Sequence, residues 1–281
     1  MGYSLRTGGL VRLLAFAAVA WAPAMIALAA HAAGVLALPG AAALGGTGML
    51  AASALAVRRA LRHEAPRFRE GAATGDGAAA GASWERVARP DGQYANRWAS
   101  YHDLSAWLGA RDWTGKVVVE FGHTNDVLRA FIRGARYAML EYPQHDVQDL
   151  RGVPDAGFDL AILDQTLEHV ADPERALREV RRVLRPGGVA IISTPFLVPL
   201  HPTADYGDYT RWTPQGMKAM LERNGFDADV RWWGNADAAR ALLGAMHMTV
   251  AEARRLGLNV EPGACDEPFP VTVWALATAR A

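Results

Sequence analysis

One cysteine, Cys265, stands in the 281 residues, so no disulfide can form within the chain. Its surroundings, EPGACDEPFP, contain no histidine. A reactive thiolate needs a base or a positive neighbour, and Cys265 reads as a loop or core thiol. An excess of charge of either sign is missing too, because 29 Lys+Arg meet 29 Asp+Glu. Nucleic-acid binding rests on clustered cationic charge, so no DNA or RNA partner is expected. No internal repeat is visible. The longest absence is of charge altogether, from Leu13 to Val57.

A membrane helix needs about 20 apolar residues, and this uncharged run has the length of two. Leu38-Pro39-Gly40 interrupts it. The expectation is a membrane hairpin within residues 1–62, formed by two transmembrane helices over 13–34 and 37–57. Arg6 and Arg12 precede the run, and Arg58, Arg59, Arg62, Arg67 and Arg69 follow it. Basic flanks stay on the cytoplasmic side, so both ends are placed there, with the rest of the chain facing the cytoplasm. A cleaved signal peptide is the rival reading, with a small-x-small site at Ala30-His31-Ala32. Residues 63–92, which include a Gly/Ala-rich tract, read as a flexible linker. Residues 93–281 read as one domain.

Beyond Lys116, β-rich runs alternate with helical patterns, which predicts βαβ units and a doubly wound α/β fold with a mostly parallel, seven-stranded sheet. Strands are expected at KVVVEFG (116–122), RYAMLEY (136–142), FDLAILD (158–164), VAIIST (189–194) and VTVWALATA (271–279). A helix is expected over 125–134. Another starts at Asp172-Pro173, with Ala176, Leu177, Val180, Val183 and Leu184 on one face, and stops at Arg185-Pro186-Gly187-Gly188. Thr213-Pro214 opens a further helix ending near Asn224-Gly225. Ahead of the first strand, 94–111 reads as a helix with Trp98, Tyr101, Leu104, Trp107 and Leu108 as its packing stripe. Ligands of such folds bind at the carboxyl ends of the strands, where strand order reverses. That places Glu120, Gly122, Glu141 and Asp164 around one crevice. Glu141 follows Glu120 by 21 positions, the spacing at which an acid commonly accepts hydrogen bonds from a ribose diol.

Three segments carry a family resemblance: VVVEFG with its following helix, the run FDLAILDQTLEHVADPERALREVRRVLRPGGVAIISTP, and PFLVPLHPTADYGDYTRWTPQGMKAMLERNGF. With WGN (233–235) and EPFPVTVWALA, they resemble class I S-adenosylmethionine-dependent methyltransferases, in a bacterial type-11/23-like subgroup, over residues 94–279. The resemblance implies S-adenosyl-L-methionine as cofactor. It implies Glu120 and Gly122 at the methionine end, Glu141 on the ribose, Asp149 near the adenine amino group, and Asp164 and Gln165 flanking the cofactor. It also implies an acceptor loop containing Asp205, Tyr206, Asp208, Tyr209 and Arg211.

Methyl transfer aligns an acceptor lone pair with the sulfonium methyl and can require proton removal. His201 and His169 are the candidate bases, although a histidine at a helix start, like His169, is also explained by a simple hydrogen bond. A metal site from His201, Asp205 and Asp208 matches no ligand template, and no metal is expected. The implied reaction is O-methylation of a small or membrane/envelope-linked acceptor, such as a lipid-linked glycan. The chain departs from the family's glycine-rich turn by carrying Thr124 and Asp126 at its second and third glycine positions. A membrane-tethered, non-catalytic binding or scaffold protein is the alternative that this departure motivates.

Overall fold

The computed structural model describes residues 68–70, 92–122, 126–266 and 268–281. The expected membrane hairpin lies outside them, as does Thr124. Among the described residues no helix is long and apolar enough to cross a membrane.

The strands are continuous apolar runs because both faces of the sheet are covered. Every residue of β2 (Val117–Phe121) is buried. On one face Val119, Phe121, Ala161 and Leu163 pack in a core with residues of α3 (Pro173–Val183) and α4 (Pro214–Arg223). On the other, Val118, Leu160, Ile162 and Ile191 join residues of α1 (Ala95–Gly109), α5 (Ala236–Gly244) and α6 (Val250–Arg255). The remaining strands are β3 (Arg136–Leu140), β4 (Phe158–Asp164), β5 (Leu184–Pro195), β6 (Phe226–Trp233) and β7 (Thr272–Ala279), while α2 (Asp126–Arg129) is a single turn. The six strands run in the order β3-β2-β4-β5-β7-β6.

Three expectations are corrected. The sheet is mixed rather than mostly parallel: β3, β2, β4 and β5 are parallel, whereas β7 runs antiparallel to both β5 and β6. The seventh strand comes from the segment read as linker. Phe68–Glu70 form β1, a three-residue strand antiparallel to the outer edge of β3. The helix expected over 125–134 closes after Arg129, and Gly134 instead sits at φ 78° in a turn that leads to β3.

Capping follows the sequence closely. The Asp172 carboxylate accepts from the Arg175 amide at 3.0 Å with Pro173 in the first turn of α3, and the Thr213 hydroxyl accepts from the Gly216 amide at 3.0 Å to start α4. Each satisfies an amide that the helix itself cannot. The Arg185–Gly188 stop persists as a bulge inside β5. Phe158 pairs with Leu184 but Leu160 pairs with Val189, so the surplus residues loop out, with Gly187 at φ 77°.

Candidate active site

Strand order reverses between β2 and β4, and a cleft of about 960 Å³ opens at their carboxyl ends. Gly122 follows β2 at φ 82°, a conformation that suits glycine, and its amide donates to the Leu140 carbonyl at 3.1 Å. Glu141 follows β3 directly and stands exposed at the cleft rim. Asp164 and Gln165 close the end of β4. Gln165 is held at φ 51°, unusual for a side-chain-bearing residue, while its side-chain Nε2 donates to the Ser193 hydroxyl at 3.0 Å. Backbone outliers of this kind concentrate at working sites.

Asp164 is nearly inaccessible and is not left alone. Its carboxylate accepts from the Tyr101 hydroxyl at 2.5 Å and from the Ser193 hydroxyl, and Arg97 lies 3.8 Å away. Burial and the neighbouring Asp164 charge push the Tyr101 hydroxyl well above its ordinary pKa, so it stays a donor. Burial alone would lower the Arg97 pKa, but Tyr101 and Asp164 raise it overall. Tyr101, expected only as packing, is therefore a polar brace of the site. Arg97 and Ser193 were equally invisible in the sequence, since nothing in their spacing marks them as Asp164 partners.

Of the residues expected on the cofactor side, Gly122, Glu141, Asp164 and Gln165 line the cleft. Glu120 does not. Its carboxylate is fully buried and accepts from Arg129 at 3.0 and 3.1 Å, an internal pair that fastens α2 to β2. Asp149 is also displaced, because its side chain pairs with Arg151 and lies 3.9 Å from Arg175, away from the cleft. The acid that does line the cleft is Asp146, three positions earlier, held by the amide and side chain of Gln148 at 2.9 and 3.1 Å. The HDVQDL run offers two acids, and without the turn geometry the sequence does not say which faces inward.

On the acceptor side, His201, Asp205, Tyr206 and Tyr209 line the same cleft together with His169. The rings of His169 and His201 meet edge to face at 4.9 Å, and Tyr206 lies 4.4 Å from His169. Asp208 and Arg211, expected as substrate contacts, are not among the residues that line the cleft and are paired with each other. They form a two-pronged pair, 2.7 Å on one prong, and Asp208 also accepts from the His201 amide at 2.9 Å. Burial would raise the Asp208 pKa, but Arg211 and the His201 amide outweigh it and hold the carboxyl below its usual range. The loop is tied to the 3-10 turn Leu167–His169 at two points: His169 Nδ1 lies 2.7 Å from the Gly207 carbonyl, and the Tyr209 amide donates to the Glu168 carbonyl at 2.7 Å.

Glu168, like Arg97 and Ser193, was not marked by the sequence. It is completely buried, and neither carboxylate oxygen has a hydrogen-bond partner. Burial pushes its carboxyl up to about 8, against the opposing pull of its own backbone amide, Arg97 and Arg211. Its only sequence trace is its place inside LEHV.

A strand order that reverses at an acid-lined cleft defines a nucleotide-type site on a doubly wound α/β domain. Residues 118–192 match the family described as methyltransferase domain. A probable S-adenosylmethionine-dependent methyltransferase of Mycobacterium tuberculosis is 37% identical over 71 residues, 25% of this chain and 26% of that protein. An uncharacterized protein in a Streptomyces fradiae transposon is 39% identical over 87 residues, 30% of this chain and 25% of that protein. The chain thus spans about a quarter of the length of the curated relatives it matches. Among solved structures, an S-adenosylmethionine dependent methyltransferase from Mesorhizobium loti is 15% identical with a TM-score of 0.40, covering 65% of this chain and 97% of that one. The domain description and the name of the mycobacterial relative agree on the enzyme class, and that name alone gives the cofactor.

Proposed function

We propose that the chain is an S-adenosylmethionine-dependent methyltransferase that methylates a hydroxyl oxygen of a small or membrane/envelope-linked acceptor. The observation that carries the reading is one cleft that holds Glu141 and Asp146 at the strand ends together with the His169, His201, Tyr206 and Tyr209 cluster. Glu141 suits the two adjacent ribose hydroxyls, and a carboxylate such as Asp146 suits an exocyclic amino donor. When bound, the cofactor supplies an electrophilic methyl group. The residues of the chain hold the nucleoside, orient the acceptor oxygen and manage its proton.

Calorimetric titration of the full-length chain with S-adenosylmethionine and with S-adenosylhomocysteine tests the reading, with saturable binding of both expected. A folded chain that binds neither would favour the non-catalytic scaffold suggested by Thr124 and Asp126.

The membrane-linked acceptor rests on the uncharged run Leu13–Val57 and its basic flanks. Two crossings would keep both termini, and hence the cleft, on the cytoplasmic face. Protease digestion of oriented vesicles carrying the chain with a tag at each terminus is expected to show both tags on one side. Tags on opposite faces would mean a single crossing, and release of the intact chain by carbonate would mean none.

A further inference from the structure

We propose that Glu168, His169 and His201 form a binding site for one divalent first-row transition-metal ion at the floor of the cleft. A carboxylate oxygen of Glu168 and one ring nitrogen from each histidine all lie within 4.8 Å of one another. The independent observation is Glu168 itself, with 0% exposure and both oxygens lacking a hydrogen-bond partner. A buried carboxylate without partners is costly, and native proteins rarely keep one without a purpose. The nearest imidazole nitrogen, His169 Nε2, is 3.8 Å from Glu168 Oε1, too far for a hydrogen bond. Of the neighbouring cations, Arg211 is paired with Asp208, and Arg97 faces Tyr101 and Asp164 through Nη1 while its buried Nε has no hydrogen-bond partner; neither forms a hydrogen bond to Glu168.

The surroundings of the histidines fit ligation. His169 Nδ1 faces the Gly207 carbonyl at 2.7 Å, and His201 Nδ1 faces the Asp208 carboxylate at 3.2 Å and the Pro199 carbonyl at 3.1 Å. All three partners accept only, so each Nδ1 carries the proton and each Nε2 keeps its lone pair. Fixing a ligand histidine through its other nitrogen, by a carbonyl or a carboxylate, is the usual outer-shell arrangement of metal sites. Metal–ligand bonds of about 2.0–2.2 Å bring tetrahedral ligands to roughly 3.4 Å from one another, so side-chain adjustments of about 1 Å close the site.

Two imidazoles and one carboxylate suit Zn²⁺, Fe²⁺, Mn²⁺ or Co²⁺, whereas Mg²⁺ and Ca²⁺ favour all-oxygen shells. Three protein ligands leave at least one open position, and both histidines face the cleft. A hydroxyl that occupies this position ionises more readily and releases its proton to water in the open cleft. On the methyltransferase reading, the preferred acceptors are therefore hydroxyl compounds able to bind a metal, such as phenols with a neighbouring oxygen. His169 and His201 then act as ligands rather than bases.

The test uses the full-length chain, stripped with a chelator and titrated with Zn²⁺ in a calorimeter. Binding of one equivalent is expected, with visible absorption bands of a low-symmetry site when Co²⁺ replaces Zn²⁺. Glu168→Gln and His201→Gln should each weaken Zn²⁺ binding by about tenfold or more. If Glu168→Gln does not fold, His201→Gln, in the loop, carries the test. Failure of the wild-type chain to bind Zn²⁺ or Co²⁺, or undiminished binding in the folded variants, overturns the proposal. The same samples titrated with S-adenosylhomocysteine separate the two readings: Zn²⁺ binding without nucleoside binding upholds the ion site and removes the methyltransferase, and nucleoside binding without Zn²⁺ does the reverse.

Discussion

Replacing Glu141 by alanine is expected to weaken cofactor binding by roughly 1.5–3 kcal/mol, the range for hydrogen bonds to a charged group. That corresponds to an increase in Kd of about ten- to a hundredfold. Glu141 follows β3 at the rim of the cleft and is exposed, so folding should be nearly unaffected. Its carboxylate can receive two vicinal hydroxyls at once, which a neutral side chain does less well. Titration of wild type and Glu141→Ala with S-adenosylhomocysteine measures the loss, and a melting curve checks the fold. Asp149→Ala is the natural control, because Asp149 faces Arg151 and Arg175 instead of the cleft. Equal affinity in wild type and Glu141→Ala would take Glu141 out of the site.

The largest effect on stability is expected from Gly234→Ala. A Cβ at this position would lie 2.1 Å from the Phe269 carbonyl oxygen and 2.5 Å from the Val271 amide nitrogen. Both are backbone atoms in the segment that leads into β7, and the Val271 amide is already donating to the Trp233 carbonyl at 2.7 Å. Relief therefore requires β6 and β7 to separate where they begin to pair. A cost at or above the upper end of overpacking, about 3 kcal/mol, is expected, or a fall in Tm of roughly 6–12 °C for a domain of this size. Gly244→Ala, at the end of α5 with open space around its missing Cβ, should be neutral or slightly stabilising. If the two variants melt together, the close approach at Gly234 is not what limits stability.

The Trp233-Gly234-Asn235 motif shows how a sequence signal can be right before its reason is known. Trp233 is buried and donates to the Glu261 carbonyl at 2.9 Å. Asn235 caps α5 by accepting from the Ala238 amide at 2.9 Å, and its side chain also donates to the carbonyls of Asn259 and Ala264. The strands β2, β4, β7 and the second half of β5 were legible because burial on both faces makes them nearly unbroken apolar runs, and β3 by its short apolar stretch after Arg136. β6 was not, since as an edge strand it alternates Asp227, Asp229 and Arg231 with partly exposed apolar residues. Among site residues, period and spacing located Gly122, Glu141 and Asp164. They could not tell Asp146 from Asp149, or reveal that Glu120 turns towards Arg129. Glu168 and Tyr101 escaped for a different reason, namely that burial of an acid and contact between residues 63 apart are properties of the folded chain.

The helix Ala95–Gly109 lies wholly upstream of the segment by which the domain is recognised, residues 118–192, yet it supplies the hydroxyl that holds Asp164. A fragment excised at the start of that segment would keep β2, β4 and β5, together with Ser193, and would lose both Tyr101 and Arg97. Stripping one partner from a buried charge costs about 3–5 kcal/mol, comparable to the whole stability of a marginal domain. The smallest portable unit of this protein therefore begins before Ala95. A chimera that transplants the recognisable motifs without this helix would carry the strands of the cleft into a new host while leaving its central carboxylate held by Ser193 without Tyr101 or Arg97.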